Sequence, residues 1–312
     1  MATRKTTLEA DGLLLLTAAI WGFAFVAQRS GMEVIGPFAY GAVRFALGAG
    51  SLMPLFVFMR RRRSATPPRP RSRAWRVGGA GLAGLVLFAG ASFQQVGLVH
   101  TTAANAGFIT CLYVILVPIV GVFLGKATGA RIWIGAALAV AGLYVLTVGE
   151  GVTMAPGDLL VLFGAFFWTG HILLITWLAA RMEALEIALG QFVTCAFLSL
   201  AAALLFEPAP FAGVVPAAIP ILYGGLLSIG VAYTLQIVAQ RTAHPAHASI
   251  ILSMEALFAA MGGVLLLGEP LTARLVLGGA LMLAGMIVSQ LEPRRDAPRR
   301  AEAGTVKASP AE

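Results

Sequence analysis

The chain has 312 residues, of which 59% are hydrophobic and 12% charged, with 22 Lys and Arg against 14 Asp and Glu and a formal charge of +8. A soluble domain carries about 25% charged residues, so an ordinary soluble domain is excluded. Val77 to Gly125 holds no Asp, Glu, Lys or Arg at all. That run far exceeds the ~20 residues a helix needs to cross a bilayer, so it contains two spans with a break near His100-Thr101-Thr102. A barrel would show ~10-residue segments of alternating polarity, whereas these runs are continuous in Leu, Ala and Gly. The chain therefore reads as an all-α integral membrane protein.

Ten spans follow in chain order: about 11–30, 35–59, 77–97, 101–124 and 131–149, then 157–180, 185–206, 216–240, 246–268 and 272–291. The first could pass for a secretory leader, since Arg4 and Lys5 precede a run of leucines. It lacks a small-residue cleavage site, so it is expected to belong to the fold.

The second five spans repeat the first. Leu124-Gly125-Lys126-Ala127-Thr128-Gly129-Ala130-Arg131 returns as Leu267-Gly268-Glu269-Pro270-Leu271-Thr272-Ala273-Arg274. Phe93-Gln94 matches Leu235-Gln236, Asp11 matches Asp158, Trp21 matches Trp168, and Arg44-Phe45 matches Gln191-Phe192. The offset drifts only between 147 and 142 residues. Five spans is an odd number, so the second copy must insert upside down. The expectation is two inverted five-helix repeats, 11–149 and 157–291, an arrangement of secondary transporters whose substrate sites form where the repeats meet.

Lys and Arg set the orientation. With the N-terminus (1–10) inside, nineteen of the 22 basic residues are cytoplasmic, eight of them between Arg60 and Arg76 and five in the tail 292–312. That is a strong positive-inside bias, and it accounts for the net charge without nucleic acid. Arg60, Arg61, Arg62 and Arg63 could also meet anionic lipid headgroups. The Pro/Arg-rich remainder of the loop and the tail are assigned no fold.

Ionisable groups inside spans are costly and point to function. Glu255 lies deep in the ninth span among Met254, Ala256, Leu257 and Phe258, with no countercharge nearby in sequence. It could carry a coupling proton or meet a substrate amine, or be a neutral carboxyl bonded to a neighbouring helix. Arg44, in the second span, could hold a substrate carboxylate in two-pronged fashion, pair with Glu255, or serve structure alone; its repeat partner is the neutral Gln191. His171 follows Trp168 by three residues, on a similar helix face, as a proton relay or a packing residue. Gln94, Asn105, Tyr113, Tyr233 and Gln236 put polar groups on the third, fourth and eighth spans, beside Glu255 on the ninth. These either glue helices together or line a central cavity that Trp21 and Trp168 would bound. His244 and His247 flank Pro245 and read as interfacial residues. Cys111 and Cys195 lack a partner at metal-ligand spacing and read as core. The apolar fifth and tenth spans read as peripheral, at a homodimer contact or facing lipid.

There is no phosphate loop, no Gly-x-Ser-x-Gly, no His-Glu-x-x-His and no Cys-x-x-Cys, each of which would supply a recognisable chemistry. No catalysis, cofactor or metal is expected, and ATP is not expected to drive the protein directly.

Several of these segments resemble the EamA family of the drug/metabolite transporter superfamily. They are Trp21-Gly22, Arg44-Phe45, Met254-Glu255-Ala256-Leu257-Phe258-Ala259-Ala260, and Leu266-Leu267-Gly268-Glu269-Pro270-Leu271 followed by Gly278-Gly279 and Ala284-Gly285. The resemblance spans about residues 11–291. It departs at Ala256, where the family has proline after the glutamate, and at Lys126, where the second repeat has Glu269. It implies ten spans with both termini inside, and transport of small organic solutes, often export of amino acids or related metabolites across the bacterial inner membrane. The alternatives are an efflux carrier for cationic drugs, for which Glu255 would be the countercharge, and a lipid-handling membrane protein.

Overall fold

A computed structural model describes residues 4–62, 72–101, 103–126, 128–147, 156–267 and 271–291. Arg63, Thr102, the Glu269-Pro270 pair and the tail after Leu291 lie outside the described residues, as do the side chains of Arg60 to Arg62 and of Asn105. The helices are α1 (Arg4–Met32), α2 (Pro37–Arg62), α3 (Arg73–Val99), α4 (Ala103–Cys111), α5 (Tyr113–Phe123), α6 (Ala130–Thr147) and α7 (Pro156–Ala179). They continue as α8 (Ala184–Phe206), α9 (Ala218–Leu222), a π-helix (Tyr223–Tyr233), α10 (Thr234–Ala239), α11 (Pro245–Leu252), α12 (Glu255–Leu267) and α13 (Ala273–Gln290). Among the described residues there is no strand.

Eight of these helical segments are long and apolar enough to cross a membrane, counting α4–α5, α9–α10 and α11–α12 as continuous rods. Two shorter apolar helices, Ala130–Val145 and Ala273–Ser289, stand where the fifth and tenth spans are expected. The ends are marked by ordinary helix chemistry. The Ser72 hydroxyl accepts from the Trp75 amide to start α3, and the Thr272 hydroxyl accepts from the Leu275 amide to start α13, each satisfying an amide that the helix itself cannot. Pro245 opens α11, where its missing N–H costs nothing. Glu207, just past α8, accepts from the Phe38 and Ala39 amides at 2.8 and 3.0 Å and caps α2.

Packing crosses between the halves. α1 packs on α12 and on the π-helix, while α7 packs on α3, α4 and α5. The first helix of each half thus lies against the third and fourth rods of the other. α2 pairs with α8, and α6 with α13. The α6–α13 contact is made by glycines: a Cβ on Gly142 would lie 2.6 Å from the Gly278 carbonyl, and one on Gly285 2.6 Å from the Gly135 carbonyl. Backbones this close are the small-residue packing of apolar spans. α6 and α13 are therefore partners of each other. On α3, Gly84 admits close approach of Gln191 and Thr194, whereas Gly78 and Gly81 face open space. Gly125 instead turns the chain after α5, with φ of 73°, a conformation glycine adopts at little cost.

Three rods are irregular, and all three face the centre. The fourth breaks at Leu112 and the ninth at Ser253-Met254. In the ninth, the Ser249 and Ser253 hydroxyls bond back to the Ala246 and Ile250 carbonyls, a local competition that weakens helical continuity. The break forms without proline beside Glu255. In the eighth rod the π-helix runs eleven residues, far longer than the single-turn bulges usual for this geometry. Its Ser228 carbonyl accepts from the Trp21 indole of α1, and the Thr17 hydroxyl of α1, which donates to the Leu13 carbonyl at 2.8 Å, lies 3.3 Å from the Ala232 carbonyl.

Candidate functional site

The irregular segments surround one cavity that is small in this conformation, with about 50 Å³ of open space. Nine of the ten residues singled out in the sequence line it: Trp21, Arg44, Gln94, Tyr113, Trp168, His171, Tyr233, Gln236 and Glu255. The tenth, Asn105, starts α4, and its side chain lies outside the described residues.

Glu255 stands at the first turn of α12, midway along the Pro245–Leu266 rod, and is 5% exposed. The Tyr113 hydroxyl donates to its Oε1 at 2.9 Å, and the Cys111 thiol lies 3.6 Å from the same oxygen. The thiol also reaches the Ser253 carbonyl at 3.7 Å. The two helix breaks therefore meet at this carboxyl, each supplying one side of the contact. Cys111, which reads from sequence as core alone, belongs to this cluster.

Arg44 is equally buried, at 5% exposed, and its surroundings differ. Its guanidinium lies 5.1 Å from the ring centres of Tyr40 and Phe45, and Nε has no hydrogen-bond partner. No carboxylate among the described residues pairs with it, Glu255 included. Its repeat counterpart Gln191 bonds His171 Nε2 at 2.9 Å. The offset that relates Arg44 to Gln191 places Ala24 opposite His171. Alanine offers no counterpart of the His171 contact, and Arg44 lines the cavity.

Aromatic rings form the wall between the two charged groups. Tyr233 lies 4.6 Å from Trp21 and 6.5 Å from Trp168, centre to centre, with His171 edge-on at 5.9 Å. Both indole N–H groups are committed: Trp21 donates to the Ser228 carbonyl at 3.1 Å and Trp168 to Gln94 Oε1 at 2.8 Å. The rings, half-buried and with both N–H groups satisfied, are thereby fixed in orientation. Gln28 and Ser228 also line the cavity and escape sequence reading. Gln28 accepts from Gln95 Nε2 at 2.9 Å; an uncharged amide in the first span was its only signal. Among the described residues, no group of three His, Cys, Asp or Glu could hold a metal ion.

Comparison with known proteins places this architecture. The EamA-like transporter family model matches residues 8–148 and again 155–290. The chain is similar to a protein named as an uncharacterized transporter of Archaeoglobus fulgidus, 31% identical over 91% of this chain and 86% of that one. It is similar to a Pseudomonas aeruginosa protein, PA1977, at 31% identity over 87% of this chain and 94% of that one. It also matches half of the inner membrane transporter YedA of Escherichia coli K12, over half its own length, at 28% identity. A solved crystal structure superposes with a TM-score of 0.74 at 21% identity, covering 93% of this chain and 99% of that one, which is a likeness of fold. The chain belongs to the EamA-like transporter family and is a multi-pass membrane protein.

Proposed function

We propose that this protein is a secondary transporter, working in the export direction, for amino acids or related small zwitterionic metabolites. Its ten spans form two inverted five-helix repeats in the inner membrane with both termini cytoplasmic. The substrate crosses through the central cavity by alternating access, without ATP.

The observation that carries this reading is Arg44, a buried cation on the wall of the aromatic-lined cavity that no carboxylate among the described residues pairs with. Such a charge is costly unless something neutralises it, and a substrate carboxylate is the simplest group to do so, since guanidinium and carboxylate fit in a two-pronged bond. Glu255 on another wall supplies an acceptor for an ammonium group, and the fixed rings of Trp21, Trp168 and Tyr233 take the apolar remainder. A site for cationic drugs would gain nothing from Arg44, which disfavours that alternative. The swapped packing of α1 and α7 across the halves supports the inverted repeat, and the broken fourth and ninth rods match the discontinuous helices that frame carrier sites.

Purified protein in proteoliposomes, offered labelled amino acids, polyamines and a cationic dye under defined pH gradients, tests the proposal. Saturable movement of neutral amino acids, with polyamines excluded, is the expected result. Movement of polyamines or dye with amino acids ignored would transfer the assignment to cation efflux.

A further inference from the structure

The site described above assigns Arg44 to a carboxylate and Glu255 to an ammonium group, and leaves two further polar atoms of the cavity wall unused. They are the side-chain carbonyl oxygen Oε1 of Gln236 on α10 and the hydroxyl Oγ1 of Thr110 on α4. Gln236 is 1% exposed and Thr110 3% exposed, and both line the cavity. Neither atom has a hydrogen-bond partner among the described residues. A buried polar atom without a partner is rare and costly.

The repeat supplies a control for Gln236. Its counterpart Gln94 accepts the Trp168 indole N–H on Oε1 at 2.8 Å. The same contact in the other half would join Trp21 to Gln236. Trp21 instead gives its N–H to the Ser228 carbonyl of the π-helix at 3.1 Å. An indole has a single N–H to give, so Gln236 Oε1 stays open.

Other threonines supply the comparison for Thr110. The hydroxyls of Thr17, Thr169, Thr176 and Thr234 each donate to the carbonyl four residues earlier in the chain, at 2.8, 2.8, 3.0 and 2.6 Å. That back-bond is the usual way for a helical threonine to satisfy its hydroxyl. For Thr110 the corresponding carbonyl is that of Ala106, and the hydroxyl does not bond it. Thr110 stands two residues before the break at Leu112, and its hydroxyl is left over on the cavity wall.

We propose that Gln236 and Thr110 set the specificity of the cavity, selecting small solutes whose side group is an uncharged hydroxyl or primary amide over those whose side group is aliphatic. This rests on the amino-acid reading above and narrows it. Gln236 Oε1 only accepts, and Thr110 Oγ1 can give a hydrogen as well as accept one. A hydroxyl or a primary amide both gives and accepts, so it can answer either atom; a methyl group answers neither. Among the described residues lining the cavity, Arg44 and Glu255 are the only members of the Arg, Lys, Asp and Glu set, so a third charge on the solute would find no counterion. The cavity is small, and a bound solute displaces the water that would otherwise serve these atoms. Displacement without replacement of the lost bonds weakens binding.

The test uses full-length protein in lipid nanodiscs and measures binding by the ligand-induced rise in melting temperature. Threonine is compared with valine, which has a methyl in place of the hydroxyl, and asparagine with leucine, which has a branched alkyl group in place of the amide. The parent protein should bind the polar member of each pair about tenfold or more tightly. Gln236→Met and Thr110→Val remove no bond that the protein itself makes, so both should fold. Each should cut these preferences severalfold while binding valine as well as the parent does. Thr110→Ser, which keeps the hydroxyl, should retain the preference. Equal or tighter binding of valine and leucine by the parent overturns the proposal and leaves the amino-acid reading standing. A preference that survives unchanged in both variants also overturns it. Binding of none of the four amino acids overturns the proposal and the amino-acid reading together.

Discussion

Arg44→Gln copies onto the first half the residue that the second half carries at Gln191. In the substrate complex the change removes a charge-assisted bond to the carboxylate, a contribution of about 1.5–3 kcal/mol. At about 1.4 kcal/mol per tenfold, kcat/KM for a zwitterionic amino acid should fall by roughly 10- to 150-fold. The protein without substrate should scarcely notice. Arg44 has no ion pair to lose; it gives up its positions near the Tyr40 and Phe45 rings at 5.1 Å, worth about 0.5–2 kcal/mol each. Against that stands relief of a buried cation whose Nε is unpaired, at about 1–3 kcal/mol. Thermal inactivation in detergent should therefore stay close to the parent protein's. The assay is competitive uptake of an amino acid and its methyl ester, which lacks the anion. The parent protein should prefer the acid, and the variant should lose the preference while keeping its stability. A parent protein indifferent to the esterification, or a variant that loses stability in step with transport, would refute the reasoning.

Glu255→Gln keeps an acceptor for the Tyr113 hydroxyl, so the fold should survive, while initial-rate uptake of a zwitterionic amino acid should show a raised KM; an unchanged KM would remove Glu255 as the ammonium acceptor. Gly142→Val drives a side chain into the Gly278 carbonyl, and overpacking of this kind costs about 1–3 kcal/mol. It should shorten the thermal half-life clearly, while Gly81→Ala, which meets open space, should leave it unchanged. Glu207→Ala removes the single carboxylate that caps both the Phe38 and Ala39 amides, and a lost cap costs about 0.5–2 kcal/mol. Its melting temperature should drop, and Glu207→Gln should restore part of the loss.

Hydropathy, charge bias and internal similarity are local properties of the chain, and the positions of the helical rods were legible from them. So was the set of residues to suspect, because a polar group inside an apolar span stands out wherever the span packs. What each of those groups does was not legible, because every decisive contact joins residues far apart in sequence. Glu255 could have met Arg44; instead Tyr113 and Cys111 reach it across two helix breaks that no proline announces. Arg44 and Gln191 occupy equivalent places in the repeat, yet Gln191 bonds His171 while Arg44 lies against the Tyr40 and Phe45 rings on the wall of the cavity. His247 read as an interfacial residue until α1 and α13 closed on it with Asp11 and Ser289. The sequence determined that polar groups would be buried in a membrane bundle. Only the tertiary packing decided which of them are satisfied by the protein and which are left to bind something else, since burial makes an unpaired polar group costly and pairing depends on neighbours that folding alone brings together.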